Sequence, residues 1–297
     1  MLLKRFTAGL FASALALSPA AAQDKPDLDP AVWVVKDADT TIYLFGTIHA
    51  LDGKSDWFND EVKASFDKSD ELVVEAIAPD DQMAMLPLVQ KYALDTSGKT
   101  LTSKLSPEGQ KMYADRLAKL GMPATAFDQF RPFFAALTLT MVDIQSRGIS
   151  ADAGAEKVLS AAAKKAGMRI GEVESMEWQL QMMNSMPEAE QVKMLESTLK
   201  EFDKGAEVFG KLHAAWGAGN PDKVGEIMNE NTKDNKALYD MLLVNRNKNW
   251  AEWIDARLDK PGTVFMAVGA GHLAGPDSVQ RYLKDRKIEA TRVPAAN

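Results

Sequence analysis

Two short apolar runs, far apart in the chain, each lead directly into a Gly-x-x-His frame. Residues 41–45 precede Gly46-Thr47-Ile48-His49, and residues 263–268 precede Gly269-Ala270-Gly271-His272. Runs of this length, rich in β-branched and aromatic residues, read as buried strands. A glycine at the end of a strand lets the backbone turn sharply or come close to a neighbour or ligand. Each frame therefore leaves an imidazole at the rim of a sheet, where open α/β proteins place their chemistry. His213 also has a glycine three residues earlier, Gly210, but it lies in a helical pattern. The preceding strand, not the spacing, is the signal, and His213 reads as structural.

A coarse pass along the chain places strands at 32–35 and 41–45, joined by a turn at Asp37-Ala38-Asp39, and further strands at 71–77, 168–173, 263–268 and 288–293. Helices are expected around 58–66, 80–92, 106–120 and 127–145, with Ser106 capping the third and Pro107 in its first turn. An alanine-rich helix ends at Gly167, and helix dominates 188–259 apart from a break near Gly217-Ala218-Gly219-Asn220-Pro221. A last helix is expected over 276–287. Strand and helix alternate at both ends around a helix-rich middle, which gives an α/β class. The sheet should be mostly parallel or mixed and assembled from both ends of the chain, with a large helical middle region. No proline- or glycine-rich linker interrupts it, so residues 23–297 are expected to form one domain with a helix-rich insertion over about 105–260.

Residues 1–22 have the three parts of a cleavable secretory leader: basic Lys4 and Arg5, an apolar stretch over 6–18, and Ala20-Ala21-Ala22 as the cleavage site. The apolar stretch is too short to span a membrane, and no other segment approaches the necessary length. The mature protein is thus expected to be soluble and periplasmic or secreted, cut after Ala22. There are no cysteines, which removes disulfides, thiol nucleophiles and thiolate ligands, so any metal must be held by nitrogen and oxygen. The net charge is −7, and losing Lys4 and Arg5 with the leader makes it more negative still. That sign argues against a nucleic-acid partner, which needs a basic face.

His49, Glu75, Glu174 and His272 each fall at or just after the C-terminal end of an expected strand. If those strands are parallel neighbours, the four side chains converge on one edge. Two imidazoles and two carboxylates suffice to hold a divalent metal with an open position for water, and a spare carboxylate can act as general base. The chain has no H-E-x-x-H, H-x-x-E-H, P-loop or G-x-S-x-G element, so a metal-activated water is the simplest remaining hydrolytic chemistry. Met182, Met183 and Met186 read as adaptable helix packing, not as ligands.

Four segments together resemble the TraB/GumN family, which includes the Tiki-type metalloproteases and is related to the erythromycin esterase and ChaN-like fold. They are Ile42-Tyr43-Leu44-Phe45-Gly46-Thr47-Ile48-His49, the strand carrying Glu75, Leu243-Val244-Asn245-Arg246-Asn247 followed by Trp250, and Phe265 through Gly275 around His272. The resemblance spans essentially the whole mature chain. It implies an α/β core in which paired histidines and a glutamate form a metal-dependent hydrolytic site, most readily for a peptide or protein substrate. Manganese or cobalt is the metal it points to, with zinc and iron left open. The metal ligands fall on His49, Glu75 and His272, which with Arg246 make the catalytic set. Arg246, Asn247, Glu174 and Gln179 fall on the substrate side.

Arg246 suits a substrate carboxylate or a developing oxyanion, and equally an ion pair tying its helix to the sheet. Two departures from the family pattern stand out. Gly154-Ala155-Glu156 replaces a Gly-hydrophobic-Asp element, and Glu172-Val173-Glu174-Ser175 replaces Gly-Leu-Glu-Thr. The longer Glu156 carboxylate moves an oxygen by about one methylene, enough to matter in a preorganised site. A non-catalytic binding protein of the same fold, acting in envelope polysaccharide or peptide signalling, is the alternative reading.

Overall fold

The computed structural model describes residues 25–79, 81–230 and 235–295; the expected leader at 1–22 lies outside the described residues. Six strands form one sheet: β1 Val32–Lys36, β2 Thr40–Thr47, β3 Glu71–Val74, β4 Arg169–Glu172, β5 Gly262–Gly269 and β6 Thr291–Arg292, in the order β4-β3-β5-β2-β1-β6. The pairs β4/β3, β3/β5 and β5/β2 are parallel, while β1 runs antiparallel to both β2 and β6. This is the mixed sheet built from both ends of the chain that the sequence suggests. Strand β5 lies at its centre although it comes from near the C-terminus, and Gly46 and Thr47 align with Val268 and Gly269 across the β2/β5 pair. The two Gly-x-x-His frames are therefore lateral neighbours.

Alternating side chains on the central strands divide between two cores, as the two-residue period of a strand requires. Phe45, Leu72, Val74, Phe265 and Ala267 face a cluster that includes Leu159 and Ala163 of the Ala155–Ala166 helix and Trp216 of the Gly205–Gly217 helix. Ile42, Leu44, Val73, Val264, Met266 and Val268 face a second cluster with Trp250 and Ile254 of the Asn245–Leu258 helix and Leu283 of the Val279–Asp285 helix. With both faces covered, the central strands read as continuous apolar runs. The helical middle has cores of its own. One joins Tyr113, Leu117, Leu139 and Leu195, and another joins Tyr92, Phe133, Leu180 and Met183. Met186 belongs to the latter and Met182 packs against it, as packing residues should. Among the described residues, no helix is long and apolar enough to cross a membrane.

Several boundaries differ from expectation. The strand anticipated over 71–77 stops at Val74, and the Ile77 N–H turns aside to the Glu172 carboxylate at 2.6 Å. The helix anticipated from 127 starts at Pro132, because residues 93–95 draw 129–131 into backbone pairing, with Arg131 N–H on Ala93 O at 2.8 Å. The stretch over 80–92 opens as a 3-10 turn, Gln82–Met85, before the Leu86–Tyr92 helix. The closing strand shrinks to Thr291–Arg292, and the helix before it spans only Val279–Asp285.

Candidate functional site

Parallel alignment of β2, β5, β3 and β4 brings their C-terminal ends to one edge, and His49, Glu75, His272 and Glu174 all stand there. The glycines of the two frames have separate spatial reasons. A Cβ at Gly46 would lie 3.0 Å from Ala270 Cα, so the first glycine admits the backbone of the second frame. A Cβ at Gly269 would lie 3.0 Å from Glu75 Oε1, 3.6 Å from His272 Cδ2 and 3.7 Å from His49 Nε2. That one small space is bordered by both histidines and the glutamate. Close approach, not a turn, is the use made of both glycines, since neither has a positive φ.

His272 is buried at 7% exposure, with its ring 4.3 Å from that of Trp250. Its tautomer follows from its partners. Arg246 Nη1, 3.1 Å from Nε2, can only donate, so Nε2 accepts and Nδ1 carries the proton, which it gives to Asn247 Oδ1 at 2.6 Å. Asn247 is fixed in turn by donating from Nδ2 to Asp277 O at 2.6 Å. Burial, helped by the charges of Arg246 and His49 and opposed by Glu75, pushes His272 down to about 3. It is a neutral imidazole.

His49 is its opposite. Its side chain is 70% exposed, and Nδ1 sits 2.5 Å from Glu156 Oε1, which also accepts from Thr47 Oγ1. Partial loss of hydration at the rim works against its charge, but the Glu156 hydrogen bond and charge, with Glu75 behind them, raise it to about 9. Glu156 reaches this place because Gly154 lets residues 150–155 run against the first frame. A Cβ at Gly154 would clash with His49 O at 2.1 Å, and Ala155 N–H donates to Ile48 O at 3.0 Å.

Glu75 lies between the two. Its Oε1 accepts from Gly269 N at 2.7 Å and is 3.8 Å from His272 Nε2, while Oε2 accepts from Arg246 Nη2 at 2.6 Å. Burial resists its ionisation, yet His272, which is charged once pH falls below about 3, together with Arg246, His49 and the Gly269 N–H, holds it down at about 2.

Arg246 opens the Asn245–Leu258 helix immediately after a π-helical turn, Asp240–Val244, a form often found at functional sites. Its guanidinium makes a bidentate pair with Glu174, Nε to Oε1 at 2.8 Å and Nη2 to Oε2 at 2.7 Å, and lies 4.8 Å from the Trp250 ring centre. Glu174 also accepts from Trp250 Nε1 at 3.0 Å and Gln179 Nε2 at 3.0 Å. Arg246 does tie its helix to the sheet, and it does so inside the site.

The donors fit a nitrogen- and oxygen-bound divalent ion in kind. Two imidazoles and a carboxylate border the space that a side chain at Gly269 would fill, and 3.8 Å between Glu75 Oε1 and His272 Nε2 suits two ligands of one ion with bonds of about 2.1 Å. The full set is not drawn together in this arrangement. Among the described residues, only the exposed Asp27, Asp29 and Asp60 bring three such donors within 4.8 Å of one another. The Arg246 guanidinium meanwhile engages both Glu75 and His272.

All the residues singled out from the sequence gather here: His49, Glu75, Glu174, Gln179, Arg246, Asn247 and His272. His213 stays apart, stacked on Phe209 in its helix. Sequence reasoning did not assign roles to Thr47 and Glu156, which hold His49, or to Trp250, which packs on His272 and binds Glu174. Beside Glu174, the residues Val173, Trp178, Asn249, Trp250 and Trp253 line an open pocket of about 340 Å³.

The model of the TraB/PrgY/gumN family matches residues 31–292, which takes in every residue of this site. The chain is 24% identical over 257 residues to the uncharacterized protein YbaP of Escherichia coli (strain K12), covering 86% of this chain and 92% of that protein. The YbaP of Shigella flexneri matches with the same identity and coverage. No solved structure matches.

Proposed function

The chain belongs to the TraB/PrgY/gumN family, and from that premise we propose that it is an exported metal-dependent hydrolase, a peptidase in its most concrete form. The observation that carries the reading is the space at Gly269, bordered at once by His49 Nε2, Glu75 Oε1 and the His272 ring. Such convergence of side chains from three parallel strands on one edge is how open α/β sheets build sites. Export rests on the basic, apolar and small-residue segments of residues 1–22.

His49, Glu75 and His272 are the residues that would hold the divalent ion, manganese or cobalt being the choices the family resemblance favours. When bound there, such an ion supplies the positive charge that makes water a nucleophile near neutral pH. The remaining work falls to the chain itself. Glu75, ionised throughout the neutral range, brings the negative charge that a divalent ion requires of its ligands. Glu156 grips His49 by Nδ1 and leaves Nε2 facing the centre, where it must give up its proton to hold an ion. Asn247 holds His272 in the tautomer whose Nε2 lone pair points inward. Arg246 balances the charge of Glu75 and Glu174, so two carboxylates coexist in a buried place. The pocket walled by Trp178, Trp250 and Trp253, with Glu174, Ser175 and Asn249 beside them, offers a recess of mixed polarity next to the site where part of a bound peptide could lie.

The test is cleavage of a peptide library by the purified mature protein, with manganese or cobalt added or with a chelator, comparing wild type with His49→Ala and His272→Ala. Metal-dependent cleavage lost in both variants is the expected result. Cleavage unchanged in both would overturn the proposal. One observation favours a second reading, a non-catalytic binding protein: Arg246 already satisfies Glu75 and His272. Tight binding of a peptide or glycan that is never turned over, whatever metal is supplied, would favour it.

A further inference from the structure

We propose that Arg246 is a built-in cation standing in the metal position, so that a divalent ion and the Arg246 guanidinium compete for Glu75 and His272. This rests on the reading of the site as metal-dependent and concerns how that site is held before the ion enters. An imidazole nitrogen has one lone pair, and that of His272 Nε2 is engaged by Arg246 Nη1 at 3.1 Å. The same guanidinium takes Glu75 Oε2 through Nη2 at 2.6 Å. An ion bound to His272 Nε2 must displace Nη1, and an ion beside the guanidinium faces a like charge at short range.

The surroundings let Arg246 yield without losing its charge partner. Nε and Nη2 are anchored on Glu174, at 2.8 and 2.7 Å, and the Trp250 ring lies alongside at 4.8 Å from ring centre to guanidinium carbon. The group can pivot about Glu174, giving up His272, Leu242 O at 3.2 Å and Glu75. The π-helical turn at Asp240–Val244 ends two residues before Arg246, and such turns are often found at functional sites. Arg246 thus keeps two buried acceptors satisfied in the free protein and sets a threshold that a metal ion must overcome.

Calorimetric titration of the mature protein with Mn²⁺, comparing wild type with Arg246→Gln, reads the competition directly. Binding at least about tenfold tighter in R246Q is expected, because the competing like charge is gone. Should that variant fold poorly, nitrogen-detected NMR of wild type titrated with diamagnetic Zn²⁺ gives an independent reading. The Arg246 Nη signals should move together with His272 Nε2. Equal Mn²⁺ affinities, or a His272 Nε2 signal that moves while Arg246 stays still, would overturn the competition and leave the metal site standing. No binding by either protein would overturn the competition and the metal-dependent reading alike.

Discussion

The two Gly-x-x-His frames share spacing, a preceding strand and one rim, and the protein treats their histidines in opposite ways. His272 is buried, neutral and held through Nδ1 by an amide oxygen, with an arginine against Nε2. His49 is largely exposed and held through Nδ1 by the Glu156 carboxylate, which favours its charged form. The motif fixes where an imidazole stands, while residues from elsewhere in the chain decide what it carries. Titratable groups in one pocket whose pKa values are driven apart are a recurring basis for dividing acid and base roles.

The sharpest break in this arrangement comes from the side of His272. Glu174→Ala should leave Arg246 with half of its carboxylate partnership gone in a buried place, costing about 3–5 kcal/mol in chemical denaturation. A loss below about 1 kcal/mol would mean that Arg246 is not held as described.

The histidines themselves come next. His272→Ala empties a buried ring and strips Arg246 Nη1 and Asn247 of a partner, an expected cost of about 2–4 kcal/mol. His49→Ala should cost less than His272→Ala, because its ring is mostly in solvent and what is lost is the screened pair with Glu156. Equal losses in the two variants would erase the contrast between the frames. Gly46→Ala is expected to cost about 1–3 kcal/mol, since the new methyl meets Ala270 Cα at 3.0 Å and the two frames must part to admit it. A neutral outcome would show that the frames are not in tight lateral contact.

The pH dependence of stability in the metal-free protein carries the same contrast. His272, lowered to about 3, refuses a proton that the unfolded chain accepts, so its contribution is complete above about 6.5 and is lost as pH falls towards 3. Glu75, held at about 2, adds to that loss below its ordinary value near 4.5. His49, raised to about 9, runs the other way: its contribution is present below about 6.5 and lost as pH climbs through 9. Solvent screening of the exposed ring makes this alkaline limb the shallower one. Denaturation midpoints measured across pH should show both limbs, and Glu156→Gln should flatten the alkaline one alone.

Much of this was legible in the sequence because strands announce their own ends. Apolar runs closing on Gly46 and Gly269, and on Glu75 and Glu174, place four side chains at strand termini, and parallel pairing of β2, β5, β3 and β4 does the rest. The partners were less legible because contacts across long sequence separations leave no local pattern. Glu156 is 107 positions from His49, and what brings them together is the close approach permitted by Gly154. The change from aspartate to glutamate at 156 stood out from the family pattern, but only the fold shows that the longer side chain ends on an imidazole. Arg246 was recognisable as part of an Arg-Asn pair. That it bridges Glu75, Glu174 and His272 together depends on the helix packing that seats Trp250 beside it.

The central claim, two imidazoles kept in opposite states at one rim, is tested most directly by following ¹⁵N chemical shifts of the histidine rings through a pH titration of the metal-free protein. The chain has three histidines, so each signal can be assigned by a single substitution. His49 should stay doubly protonated through neutral pH and lose its proton near 9, while His272 should remain neutral with the proton on Nδ1 down to about 3. Two rings that both titrate near the ordinary value of about 6.5 would contradict it.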